Sequence, residues 1–151
     1  MTFVDLEFTQ DQNGDYDLSI GEDGDFASVD GYDTALMMSL LCERRAIASQ
    51  VFEPSLRRGW LGNENSREDG FEQGSLVWLY EQARLNSDTT NGIEVYAAQG
   101  FQWLLDDNLV QSIELGASIL RDGAIELDVN YYVANAPVET RNYRLWQNTG
   151  S

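Results

Sequence analysis

The sequence contains no lysine, no histidine, one cysteine, two prolines and no apolar run of eighteen residues. Each gap removes a class of function. Without histidine the chain lacks the commonest general base, the usual zinc ligand and the middle member of a serine triad. The single cysteine, Cys42, permits neither an internal disulfide nor a thiolate metal cluster, and it sits in an apolar helical pattern where a small buried hydrophobe is expected. No stretch is long enough to cross a bilayer as a helix, and the opening MTFVDLEF has no basic region, so a soluble protein without a Sec-type address is expected. The missing lysine says something else. All nine cations are Arg, whose planar fork suits fixed bidentate contacts, whereas Lys is a hydrated point charge.

What is present is acidic. Against nine Arg stand 26 Asp and Glu, for a net charge of -17 and an isoelectric point near 4.1. Such a surface repels phosphate backbones and anionic lipid, which argues against nucleic acid and membrane and leaves basic protein surfaces or metal ions. An apolar fraction of 42% with four Trp, seven Tyr and six Phe is ordinary globular composition, so the acidity does not signal disorder. At 151 residues the chain is expected to form one domain over 1–151.

The cations are concentrated. Arg44, Arg45, Arg57 and Arg58 fall within fifteen residues. The second pair opens Arg57-Arg58-Gly59-Trp60-Leu61-Gly62, and Gly74-Ser75-Leu76-Val77-Trp78-Leu79 follows.

In chain order, alternating apolar residues around Asn13-Gly14-Asp15 predict a hairpin over 3–20, with a second reversal at Glu22-Asp23-Gly24-Asp25; 1–30 is thus an N-terminal hairpin region. From Tyr32 the period becomes helical. Leu36, Leu40 and Ile47 predict a helix of about fourteen residues started near Asp30, with Arg44 and Arg45 capping its negative end. Residues 49–74, which include Ser66, lack periodicity, and such an excursion is usually a working surface. Ser75 to Arg84 reads as a second helix capped by Ser75, Asn86 to Gly92 as a polar linker, and Ile93 to Leu105 as a third, clearly amphipathic helix. Alternation in Ile113 to Ile119 and Ile125 to Val133 across Arg121-Asp122-Gly123 predicts an antiparallel hairpin. Residues 135–151 form an extended tail, with a last strand or extended run at Arg141 to Trp146. The fold class is therefore α+β: an antiparallel sheet with about three helices packed on one face.

Three chemistries compete with a structural reading. Asp11 to Glu22 places oxygen ligands at the spacing of a calcium-binding EF-hand loop, but Tyr16 occupies the position where the turn needs Gly, and strands flank the loop instead of helices. Paired carboxylates such as Asp106-Asp107 and Asp23 with Asp25 could do glycosidic acid-base work, although 26 acidic residues generate such pairs by chance. Ser75 lacks the second Gly of a nucleophile elbow. Among the tryptophans, Trp78 and Trp103 fall on predicted helices and read as core or helix–helix packing. Trp60, in a loop beside two Arg, suits an interface anchor or a plug over the end of the first helix. No cofactor or metal is expected.

Glu43-Arg44-Arg45-Ala46, Arg57-Arg58-Gly59-Trp60-Leu61-Gly62 and Gly74-Ser75-Leu76-Val77-Trp78-Leu79, with Trp103 between Ala97 and Leu104, resemble the Mu-like branch of the small baseplate wedge proteins of contractile-tailed phages, a family sometimes labelled lysozyme-like. Asp15-Tyr16-Asp17-Leu18 and Gly24-Asp25-Phe26 match its opening, and the likeness runs to about Leu127. The resemblance implies a structural virion protein of the tail baseplate, made in the host cytoplasm, with no hydrolase activity. It implies assembly with larger wedge subunits, in six copies around the tail hub, with tail hub or tube proteins as further neighbours. It also implies docking of the first sheath ring by strand addition at an open sheet edge. Relatives in the sister branch carry Glu-Pro-Arg after the third helix at their wedge contact. This chain has Leu105-Asp106-Asp107-Asn108-Leu109-Val110 there, so that contact does not transfer. The alternatives are a carboxylate-dependent cell-wall glycan hydrolase and an acidic calcium-binding module.

For Arg44, Arg45, Arg57, Arg58, Trp60 and Trp78 two roles are open: a clamp that pins the loop within the domain, or a surface that meets a partner. The absence of Lys, phosphate-loop glycines and a catalytic partner favours the clamp.

Overall fold

The computed structural model describes residues 4–65 and 71–147. Phe3 of the expected first hairpin, Ser66 of the long excursion and tail positions 148–151 lie outside them. The core is built on a three-stranded antiparallel sheet of β5 (Ser112–Ile119), β6 (Ala124–Tyr132) and β7 (Glu139–Gln147), in the order β5-β6-β7. Alternation along β6 holds from Ile125 onward: Ile125, Leu127, Val129 and Tyr131 are fully buried, while Glu126, Asp128, Asn130 and Tyr132 are only partly so. The β5–β6 turn is the one expected at Arg121-Asp122-Gly123, closed by the Leu120 N–H on the Ala124 carbonyl at 2.8 Å with Gly123 at φ 83°. The run at Arg141 to Trp146 is part of strand β7.

Two α-helices contribute to this core, with Leu36 and Leu40 from α1 (Asp33–Leu41) and Ile93, Ala97, Phe101 and Leu104 from α2 (Ser87–Asp106). The α+β reading holds, but with two helices among the described residues instead of about three. Ser75 to Arg84 is not a helix; it forms only a 3-10 turn at Val77–Tyr80. The expected linker Asn86–Gly92 belongs to α2, because the Asn86 side chain accepts the Thr89 N–H at 3.0 Å and so starts the helix in polar residues. Helix α1 stops at Leu41. Arg44 and Arg45 therefore lie beyond its last turn and do not cap it. Its other end is capped from a distance, since the Asp5 carboxylate accepts the Thr34 N–H at 2.7 Å.

The N-terminal region is a small meander. β2 (Phe8–Gln10) pairs with β3 (Tyr16–Leu18) across the expected turn, but β1 (Val4–Leu6) leaves that hairpin to pair with β4 (Ser28–Asp30). An Ile20–Phe26 bridge closes the second reversal. Arg141 of β7 ties α1 to the sheet through Asp33 at 2.6 Å.

Candidate functional site: an arginine clamp and two guarded sheet edges

After α1 the chain runs extended from Cys42, and the two halves of the Arg-Gly-Trp signature meet on it. Gly74-Ser75 lies parallel to it: the Ser75 N–H donates to the Cys42 carbonyl at 2.9 Å and the Arg44 N–H to the Ser75 carbonyl at 3.0 Å. The other half joins through the Trp60 N–H on the Glu43 carbonyl at 2.7 Å and the Ala46 N–H on the Arg57 carbonyl at 3.0 Å. Gly74 is required by this crossing. It sits at φ +106°, and a Cβ there would stand 2.2 Å from the Cys42 carbonyl oxygen. Ser75, expected as a helix cap, is buried and donates its hydroxyl to the Leu40 carbonyl at 2.6 Å, satisfying an end group of α1.

Each of the four Arg bonds within its own chain. Arg44 donates to the Glu72 carbonyl at 3.0 Å. Arg45 donates to the carbonyls of Arg58 at 3.0 Å and Pro54 at 3.1 Å. Arg57 grips the loop from inside, with Nε on the Val51 carbonyl and Nη2 on that of Phe52, both at 2.8 Å. Arg58 reaches Glu43 at 2.7 Å and Glu81 at 2.8 Å, with its guanidinium 4.7 Å from the Trp78 ring centroid. Burial alone would lower the Arg58 pKa, and the two carboxylates more than offset it. Trp78 lies in the 3-10 turn, not on an α-helix, and its indole N–H donates to the Arg44 carbonyl at 2.9 Å. Trp60 folds over Gly62, where a Cβ would fall 2.3 Å from its ring. Trp103, on α2, donates its indole N–H to the Ser39 hydroxyl at 2.8 Å.

Chemically this is a cross-linked loop, and among the described residues its one thiol is not poised as a nucleophile. Burial pushes the Cys42 thiol up, away from the thiolate. The clamp borders a cavity of about 150 Å³ lined by Leu40, Cys42, Arg58, Trp78 and Trp146. Beside it is an open groove of about 450 Å³ lined by Met37, Met38, Leu41 and Trp60.

Both outer strands of the sheet are guarded by side chains that sequence reasoning missed. On β5, Glu94 of α2 accepts the Ala117 N–H at 2.8 Å. On β7, the Gln10 side-chain amide copies a neighbouring strand, accepting the Arg144 N–H at 3.0 Å and donating to its carbonyl at 2.7 Å. A carboxylate or amide seated on an edge satisfies backbone groups that would otherwise be unpaired there. Nothing in the local sequence marks Gln10 or Glu94 for this, because their partners lie 134 and 23 residues away.

The acidic candidates do not converge. Asp23, Asp25, Asp106 and Asp107 are all exposed. The Asp11 carboxylate accepts the backbone N–H groups of Asn13 at 2.8 Å and Asp15 at 3.0 Å, so it builds the β2–β3 turn. The Asp15 hydrogen bond leads the causes that hold its pKa below the usual carboxylate value. Among the described residues, no group of three or more acidic or cysteine side chains could hold a metal ion.

Comparison with known proteins matches residues 32–138 to the family described as phage protein GP46. The chain is 28% identical over 132 residues to the Mu-like prophage FluMu protein gp46 of Haemophilus influenzae, covering 87% of this chain and 90% of that protein. It is 31% identical over 111 residues to the baseplate protein gp46 of Escherichia phage Mu, covering 72% of this chain and 74% of that protein.

Proposed function

The chain belongs to the phage protein GP46 family, and we propose from that membership that it is a non-enzymatic structural subunit of a phage tail baseplate, resident in the virion. Its phage Mu relative is itself a baseplate protein, which supports the Mu-like resemblance in the Arg-Arg-Gly-Trp and Gly-Ser-x-x-Trp-Leu motifs. In the finer reading the subunit sits in a baseplate wedge, joins larger wedge proteins around the tail hub in six copies, and docks the first sheath ring by strand addition. Arg44, Arg45, Arg57, Arg58, Trp60 and Trp78 then act as the clamp that holds the long loop rigid during assembly.

The observation that carries strand addition is the guarded sheet. A buried, well-packed β6 flanked by two outer strands, each held by one side chain from its own chain, offers backbone groups that an incoming strand can take over. Strand alternation turns the N–H groups of Ile113, Leu115 and Ile119 to the same side as that of Ala117, and those of Thr140 and Asn142 to the same side as that of Arg144.

Amide hydrogen exchange on the isotope-labelled chain, with and without the sheath subunit of the same tail, tests this reading. One of these two sets of edge amides is expected to gain protection on binding. Binding that leaves both sets unprotected, or no binding at all, rejects strand addition.

A further inference from the structure

We propose that the loop over residues 46–61 is one face of a head-to-tail contact between two copies of this chain, whose other face is the acidic N-terminal meander. The loop is rigid and apolar at once. Its ends are joined by the Ala46–Arg57 backbone bond, its interior is held by Arg57 on the Val51 and Phe52 carbonyls, and Arg45 fastens Pro54. On this fixed frame Phe52 is 90% exposed, Leu61 80%, Leu56 64% and Ile47 62%. Exposed apolar groups on a pre-ordered loop mark an interaction surface, since little conformational entropy is lost when they are covered.

Charge selects the occupant. The loop 46–61 carries Arg57 and Arg58 against Glu53, a net of 2 − 1 = +1, with Arg45 fastened beside it and Arg58 already paired with Glu43 and Glu81. Residues 1–30 carry nine Asp and Glu and no cation, a net of -9. The described bonds of the Arg45 and Arg57 guanidiniums all go to neutral carbonyls, so their charge is left for a partner. The meander also offers apolar groups, with Ile20 62% exposed and bridged to Phe26, 54% exposed. The overall charge of -17 opposes self-association, but at 0.15 M salt the Debye length of about 8 Å leaves contact-range attraction dominant. Because the two faces differ, the contact is heterologous and propagates to a ring when its rotation closes.

Analytical ultracentrifugation of the full chain from about 1 µM to about 1 mM at physiological salt tests the contact. Wild type is expected to sediment at twice 17.0 kDa and beyond. Phe52→Asp alone and Phe26→Ser alone are each expected to stay monomeric, with an unchanged melting temperature. Their equimolar mixture is expected to recover a dimer and nothing larger, since each variant contributes one intact face. Ile20→Ser replaces Phe26→Ser if the latter loses its melting transition. A monomeric wild type, a variant that assembles like wild type, or a mixture that stays monomeric overturns the proposal. The assay contains this chain alone, so its outcome is independent of sheath docking.

Discussion

Arg58 lies 4.7 Å over the Trp78 ring while its two terminal nitrogens hold Glu43 and Glu81, so one side chain joins both halves of the Arg-Gly-Trp and Gly-Ser motif. The Arg58 side chain is 37% exposed, and solvent screening keeps each ion pair weak. The cation–π contact and the two exposed pairs together are expected to be worth about 1–2 kcal/mol. Arg58→Ala should therefore lower Tm by roughly 2–8 °C. Arg58→Lys should recover less than half of that, because a point charge cannot span two carboxylates and cover an indole. Calorimetry on the two variants is the check, and full recovery by Lys would mean that charge alone matters.

Gly74→Ala is expected to be far more damaging although it adds one methyl group. The residue sits at φ +106°, and its Cβ would overlap the Cys42 carbonyl oxygen, which already accepts the Ser75 N–H. Strain and steric overlap together should exceed about 3 kcal/mol. Urea unfolding would show this as a lowered midpoint, and a loss below about 1 kcal/mol would mean that the crossing relaxes.

Legibility of the fold in the sequence follows the range of the forces involved. The β5–β6 hairpin is readable because alternation and an Asp-Gly turn are local, and from Ile125 onward β6 buries every second residue as that pattern requires. Ser75 to Arg84 carries a helical spacing of Leu76, Leu79, Tyr80 and Ala83 that also fits a 3-10 turn packed on α2. The helical stripe extends past the true end of α1 because Ile47 falls on it, yet Ile47 is 62% exposed on the loop beyond Cys42. The clamp residues were visible as a signature, but their orientation was not. Arg45 and Arg57 turn to backbone carbonyls in their own loop, and no local pattern encodes that choice.

The remote cap of α1 gives a third prediction. Tyr32, at the N-cap position, makes no side-chain cap bond, and the Asp5 carboxylate takes the Thr34 N–H instead. Asp5→Ala should lose about 1 kcal/mol, the usual worth of a cap, and Asp5→Asn should keep most of it because the amide oxygen can still accept. Equal losses in Tm for the two variants would assign the effect to charge at the helix N-terminus instead of the hydrogen bond.

Alkaline pH probes the contact between the meander and the sheet. Tyr16 of β3 and Tyr143 of β7 lie with ring centroids 6.4 Å apart, and burial raises both phenols well above the ordinary value of 10.0. A raised phenol pKa means that the folded state keeps a proton that the unfolded chain releases. This stabilisation is fully present below pH 10 and is lost as pH rises above that value, where the unfolded chain ionises first. Tm should therefore be flat through neutral pH and fall above about pH 10. Tyr143→Phe should reduce that fall, since the ring is retained and the ionisable group removed. In the folded protein three of the seven tyrosines, Tyr16, Tyr131 and Tyr143, should titrate above the ordinary phenol value by ultraviolet absorbance, because burial raises all three. If Tyr16 and Tyr143 titrate at the ordinary phenol value while the protein remains folded, both are open to water and the meander is not seated on β7.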